Sequence, residues 1–438
     1  MGTQRPEGGL SEQLPPLSGN EALVEANRCL YCYDAPCTHA CPTHIDIPRF
    51  IKKIATGNLT GSARTILEAN ILGATCARVC PVQELCEGAC VLGKEHKPIT
   101  IGRLQRYSTD YVSDRGVDLF HAGAPNDLKV AVVGAGPAGL SCAGYLARLG
   151  YSVTLFEKRS LGGGLSTYGI IVLREPVETA LAEVEMVRRL GVQIETGVEL
   201  GGNLAWADVQ SRFDAVFLSV GLGATASLGV AGEEHVMDGL AYIEQSKLEP
   251  DRVAVGRNVL VIGAGNTAVD CATIARRLGA GSVTIVYRRG EREMTAYPHE
   301  YEFIKLEGCE FRFLTRPVRV VSDVGGVTGL ECVRVALGAP DASGRPEPID
   351  VPGSGFVLPA DQIIKAIGQN KPSLASLLGL TTARGYIQVN ADLETSLSGV
   401  YAGGDCVRAW GAASTVMAVQ DGKLAASAIH RKLSHTNG

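Results

Sequence analysis

Cys29-Leu-Tyr-Cys32-Tyr-Asp-Ala-Pro-Cys37-Thr-His-Ala-Cys41-Pro42 opens a run that closes with Cys76-Ala-Arg-Val-Cys80-Pro81-Val-Gln-Glu-Leu-Cys86-Glu-Gly-Ala-Cys90. Eight of the thirteen cysteines fall in this run. Short intervals let several thiolates converge on one centre, and a proline after the fourth ends the local turn. Eight thiolates at this spacing suit two four-iron clusters. Disulfides need an oxidising compartment, and the first twenty residues show neither a basic start nor the apolar stretch of a secretion signal. Structural zinc sites pair two Cys-x2-Cys units, whereas only Cys29/Cys32 has that spacing.

Working outward, 438 residues with 45% apolar side chains are enough for about three domains. The net charge of −5 argues against nucleic-acid binding. The 53 glycines exceed the usual ~7% and fit several tight phosphate loops. Leu128–Leu149 and Val259–Ala275 are apolar, but each carries a Gly-rich turn in its middle. They read as strand, turn and helix rather than as membrane spans. The expectation is a soluble cytoplasmic protein with no membrane partner.

Residues 1–20 read as a loose arm. Glu21–Arg28, Ile47–Ile54, Ala63–Ala69 and Ile101–Val112 read as short helices around the cysteines, and Asp114–Asp127 as a linker. Lys129–Val133 is then a buried strand. It runs into Gly134-Ala135-Gly136-Pro137-Ala138-Gly139, a helix to Leu149, and the strand Ser152–Phe156 with Glu157 at its end. The glycines permit a sharp turn and let a pyrophosphate approach the helix N-terminus, while Glu157 accepts hydrogen bonds from a ribose. The design recurs at Asn258–Ile262, Gly263-Ala264-Gly265-Asn266-Thr267-Ala268 and Ser282–Val286. There Arg288 and Arg289 replace the terminal acid, which suits a 2′-phosphate and leans toward NADPH; Arg292 is a substitute for either. Two such units suggest a flavin (FAD) site and an NAD(P)H site. Phe213–Gly221 and Gln362–Gly368 read as strands with glycine exits. Val400–Asp405 reads as a strand ending in Gly404 and Asp405, the latter set to bond a ribityl hydroxyl. The helix from Thr415 aims its N-terminus at the flavin ring. Lys158, Gly164, Leu165, Val198, Gly221 and Gly368 complete the expected cofactor contacts.

The fold class is therefore α/β, with an N-terminal α-helical iron–sulfur domain (1–125) followed by two Rossmann-like domains. The FAD-binding domain takes 126–224 and 365–438, and the NAD(P)-binding domain takes 225–364. No thiol pair follows the first unit, so the flavin is not expected to reduce a disulfide. Cys142, Cys271, Cys309, Cys332 and Cys406 read as packing residues, and His39 and His44 as flanking rather than ligating. Hydride transfer between the cofactors needs no protein acid or base, and no acid–base residue is assigned.

Cys29–Pro48, Gly73–Pro81 and Ile101–Gln105, with both nucleotide folds and Ala402–Asp405, closely resemble the N-terminal region of dihydropyrimidine dehydrogenase. The glutamate synthase small subunit shares this architecture but usually lacks the Asp-Ala-Pro-Cys and Pro-Thr-His-Ile-Asp-Ile forms. The resemblance implies interlaced ligand sets: Cys29, Cys32, Cys37 and Cys90 for one cluster, and Cys41, Cys80, Cys86 and Gln105 for the other. Spacing alone favours Cys76 over Gln105. It also implies a flavin contact for Arg174, although Ile170–Leu173 departs from the family's Pro-x-Phe run. Larger members continue into an FMN barrel and a ferredoxin-like tail, whereas this sequence ends at Gly438. The expectation is a hetero-oligomer in which a partner subunit carries FMN and ferredoxin-like clusters and reduces uracil or thymine. The alternative is a glutamate synthase small subunit. Bacterial members are commonly NADH-linked, against the NADPH reading of Arg288 and Arg289.

Overall fold

The computed structural model describes residues 9–341, 344–408 and 414–436. Residues 1–8 of the expected arm lie outside the described residues. The chain forms two compact units. One comprises Gln13–Thr167, Arg174–Gly223 and Lys371–Gly438. The other comprises Tyr168–Leu173 and Ala224–Asn370, with residues up to Glu12.

The first unit begins with short, individually capped helices. The Ser18 hydroxyl accepts from Glu21 N–H at 3.3 Å while Glu21 accepts from Ser18 N–H at 2.8 Å, a reciprocal cap that starts helix Gly19–Asn27. Asp46 accepts from Arg49 N–H at 3.1 Å and starts helix Ile47–Ala55. Ile47, Phe50, Ile51 and Ile54 of that helix are all buried, a stripe at helical spacing. Asn58 caps Leu59–Ala69, and Gly73–Val79 and Ile101–Ser113 follow. The segment read as a linker has no regular structure but is packed down. Leu119 is buried with Ala63, Leu67 and Val112, and its carbonyl accepts from Arg64 at 2.9 Å.

The same unit holds a five-stranded parallel sheet in the order Val400–Ala402, Ala215–Leu218, Lys129–Val133, Ser152–Glu157, Gln193–Thr196. The inner strands are apolar on consecutive residues because both faces are covered. Ile71, Leu72 and Cys76, from the cysteine region, share one core with Leu140 and Phe217 and with Val419 of the C-terminal helix Thr415–Thr436. Each large aliphatic side chain buried there contributes about 1.5–3 kcal/mol. Gly422 of that helix lies against helix Pro137–Arg148 so closely that a Cβ would sit 2.2 Å from the Ala138 carbonyl oxygen.

The second unit holds a parallel sheet in the order Met237–Asp238, Gln362–Lys365, Asn258–Ile262, Ser282–Val286, Glu310–Arg312. Between its fourth and last sequence segments runs an antiparallel sheet of Thr315–Asp323, Gly326–Pro340, Pro346–Asp350 and Phe356–Pro359. Among the described residues no helix is long and apolar enough to cross a membrane. The two apolar stretches at Leu128 and Val259 are strand, turn and helix.

Candidate functional site

The helical caps and apolar stripes bring the cysteines together around two cavities. Cys29, Cys32, Cys37 and Cys90 line one, closed by apolar residues that include Ile51, Ile99 and Ile101. Cys41, Cys76, Cys80 and Cys86 line the other, together with Gln105, Asn70 and Val416. The chain crosses between cavities twice, since Cys41 leaves the first group and Cys90 returns to it. Neither His39 nor His44 lines a cavity, and His39 pairs with the exposed Asp34 at 2.5 Å.

The donor chemistry fits iron–sulfur clusters. Burial, then the neighbouring Cys29 and Cys90 thiolates, pushes Cys37 up to about 11. Burial likewise raises Cys29 and Cys86, and the hydrogen bond with Cys76, followed by burial, raises Cys80. Thiolates crowded in this way need a cation among them. Among the described residues no three His, Cys, Asp or Glu close on a single ion, while each cavity is ringed by four cysteines. A cubane holds its thiolates farther apart than one ion does, because iron and sulfide stand between them.

Both Cys76 and Gln105 reach the second cavity, each buried. Gln105 donates its amide N–H to the Gly73 carbonyl at 2.8 Å, which leaves the amide oxygen as its candidate donor atom toward a metal. Thr43 is 1% exposed and its hydroxyl lies 3.4 Å from the Cys41 sulfur.

The first glycine loop has the expected shape. Gly134 has φ +102°, and a Cβ there would meet the Ser219 carbonyl oxygen at 2.4 Å. A Cβ on Gly139 would meet the Gly134 carbonyl oxygen at 1.9 Å, whereas Gly136 has nothing nearer than 3.9 Å. The outer glycines make the turn and the helix contact, and the middle one leaves an open cradle of the kind that admits a pyrophosphate. Glu157 is buried and accepts from Ala135 N–H at 2.8 Å and Arg159 N–H at 2.9 Å, which fixes the carboxylate at the loop. Gly164 packs against Gly136, and Val198 donates to the Glu157 carbonyl at 2.9 Å. Lys158 and Leu165 are exposed and Arg174 is half-buried.

Gly404 donates its N–H to Asp421 at 2.9 Å, and Asp421 also pairs with Arg408. Burial raises the pKa of Asp405. Asp421, Arg408, Thr43 and Lys423 were not picked out in the sequence. Asp421, an aspartate on the otherwise apolar buried face of the C-terminal helix, is the one available signal.

In the second unit Gly263 has φ +129°, and Gly265, Asn266 and Thr267 stand half-exposed at the start of helix Asn266–Arg277, open to a phosphate. Asn266 accepts from Tyr297 N–H at 3.1 Å. The two arginines separate. Arg289 is 3% exposed, donates to the Pro346 carbonyl and pairs with Asp341 at 2.8 Å. Its guanidinium is thus committed within the fold, because the antiparallel sheet that supplies Pro346 folds back on it. Arg288 and Arg292 are exposed, and burial, then the Arg289 charge, lowers the pKa of Arg288. The five remaining cysteines are all buried.

Two dinucleotide loops and a cysteine-rich helical region define an NAD(P)H-dependent flavin and iron–sulfur oxidoreductase. Residues 128–422 match the model of the pyridine nucleotide–disulphide oxidoreductase family and residues 8–117 that of dihydropyrimidine dehydrogenase domain II, 4Fe-4S cluster. The chain belongs to that oxidoreductase family, with the cluster domain at its N-terminus. It is 38% identical to the NADP(+)-dependent formate dehydrogenase subunit beta of Moorella thermoacetica over 91% of this chain, but spans only 60% of that relative's length. It is 34% identical to the NAD-dependent dihydropyrimidine dehydrogenase subunit PreT of Salmonella typhimurium, over 97% of each chain. It is also 34% identical to the glutamate synthase [NADPH] small chain of Escherichia coli, over 94% of this chain and 92% of the other. The fold is like that of T. acidophilum thioredoxin reductase, with TM-score 0.55 and 22% identity over 70% of this chain and 98% of that one.

Proposed function

We propose that this chain is the electron-input subunit of a dihydropyrimidine dehydrogenase. It takes a hydride from NAD(P)H and delivers single electrons to a partner subunit that carries FMN and reduces uracil or thymine to the 5,6-dihydro form. The observation that carries the reading is the pairing of two dinucleotide loops with two cysteine-ringed cavities in one chain. FAD and two [4Fe–4S] clusters, when bound, supply the change from two-electron to one-electron chemistry. The chain's own residues bind and position. Gly136 opens the pyrophosphate cradle, Glu157 holds the loop and meets the ribose, and Asp405 and the helix from Thr415 face the remainder of the flavin. Cys29, Cys32, Cys37 and Cys90 hold one cluster, and Cys41, Cys80, Cys86 and Gln105 the other. Arg288, with Arg292, faces the 2′-phosphate and favours NADPH.

End-to-end similarity to the PreT subunit and the Asp-Ala-Pro-Cys and Pro-Thr-His-Ile-Asp-Ile forms favour this reading over a glutamate synthase small subunit. That second reading rests on similarity of nearly equal extent. Co-purification from the native source decides between them. An FMN-bearing partner and NAD(P)H-dependent uracil reduction support the proposal, and a glutamine-dependent amidotransferase partner overturns it.

A further inference from the structure

Lys423 lies on the C-terminal helix, whose first turn already contributes Val416 to the wall of the second cysteine cavity. Its ammonium group is half-buried and donates to two backbone carbonyls of the cysteine region, Thr43 at 2.9 Å and Ala69 at 2.8 Å. Thr43 follows Cys41-Pro42, and its hydroxyl lies 3.4 Å from the Cys41 sulfur. A thiolate bound to iron has no proton to give, so the Thr43 hydroxyl is then the donor. Burial lowers the pKa of Lys423 and the Cys41 charge opposes that, which places the two groups within electrostatic reach. Two carbonyl oxygens solvate the ammonium but supply no counter-charge. Among the described residues no acid is paired with Lys423.

We propose that Lys423 and Thr43 set the reduction potential of the cluster held by Cys41, Cys80 and Cys86. The fixed positive charge and the hydroxyl-to-sulfur hydrogen bond both favour the reduced, more negative cluster. Each raises its potential and makes it the better electron acceptor. The proposal rests on the assignment of those cysteines to a second cluster. Lys423 touches no iron ligand and is a positioning residue, acting through Thr43 and through its field.

The test is an anaerobic redox titration of the full-length protein, reconstituted with iron, sulfide and FAD and followed by electron paramagnetic resonance, so that the two clusters are read separately. For Lys423→Gln, the reduced-to-oxidised ratio of the second cluster at fixed poise should fall about tenfold, equivalent to 59 mV for one electron. The cluster of Cys29, Cys32, Cys37 and Cys90 should not move, and Lys423→Arg should stay near wild type. Thr43→Val should shift the same cluster the same way, by less. An unmoved midpoint in Lys423→Gln with full iron and flavin overturns the proposal. Equal shifts in Lys423→Gln and Lys423→Arg also overturn it, because they indicate tethering rather than charge. If Lys423→Gln fails to take up iron, Thr43→Val decides by whether its midpoint moves. A wild-type protein that takes up only four irons contradicts the two-cluster reading itself, a result distinct from these.

Discussion

Arg288 and its neighbour Arg289 stand side by side in sequence and are expected to fail in different ways. Arg288 is exposed, and a charge-assisted hydrogen bond to a 2′-phosphate is worth about 1.5–3 kcal/mol before solvent screening. Partial exposure reduces that to about 1–2 kcal/mol. Arg289 cannot substitute for it, because its guanidinium is 3% exposed and spanned between Asp341 and the Pro346 carbonyl. Arg288→Ala should therefore raise KM for NADPH roughly 5- to 30-fold and leave KM for NADH within about twofold. Steady-state dye reduction with each nucleotide measures both. Arg289→Ala should instead leave the NADPH/NADH preference alone and destabilise the second unit. The cost is about 1–3 kcal/mol, below that of a fully buried pair because Asp341 keeps 32% of its side-chain exposure. An unchanged nucleotide preference in Arg288→Ala, or a changed one in Arg289→Ala, refutes the phosphate assignment.

Gly422→Ala should drive the C-terminal helix off helix Pro137–Arg148, since its Cβ would meet the Ala138 oxygen at 2.2 Å. Thermal unfolding should show a loss of about 1–3 kcal/mol, and gel filtration a lower flavin content. Cys86→Ser should lose about four irons per chain, whereas Cys76→Ser should keep nearly all of them if Gln105 completes the second set. Burial pushes Glu183 up to about 8 from an ordinary 4.5, so between those values the folded state holds a proton that the unfolded state has lost. Stability should fall as pH rises across that window, by up to about 1.4 kcal/mol per pH unit, and level off above it. Glu183→Gln, still able to accept from Ala74 and Thr75 N–H, should flatten the profile of unfolding midpoint against pH.

Local spacing carried most of what the sequence revealed. Each cysteine group and each glycine loop is a pattern of closely spaced residues, and Glu157 closes the strand that follows the first loop, so their geometry follows from local turn, cap and strand-end chemistry. What was not legible depends on distant partners. Arg289 looks like a phosphate ligand until the antiparallel strands wrap Asp341 and Pro346 around it, and those strands carry no cofactor pattern of their own. Lys423 and Thr43 are 380 positions apart; Lys423 stands in no motif, and the Pro42–Ile47 form that contains Thr43 gives no sign of its distant partner. The segment 114–127 has a linker's composition, yet Leu119 anchors it in a small core. Spacing points to Cys76, while Gln105 reaches the same cavity from a helix further along the chain, a placement that no local interval encodes.

The most direct test of the electron-relay account is metal and flavin content after anaerobic reconstitution of the full-length protein, with the reduced form examined by electron paramagnetic resonance. The account predicts about eight irons, a matching amount of sulfide and one FAD per chain, with two distinguishable cluster signals. One tightly held zinc in place of iron, or about four irons with a single signal, or no retained flavin, would contradict it.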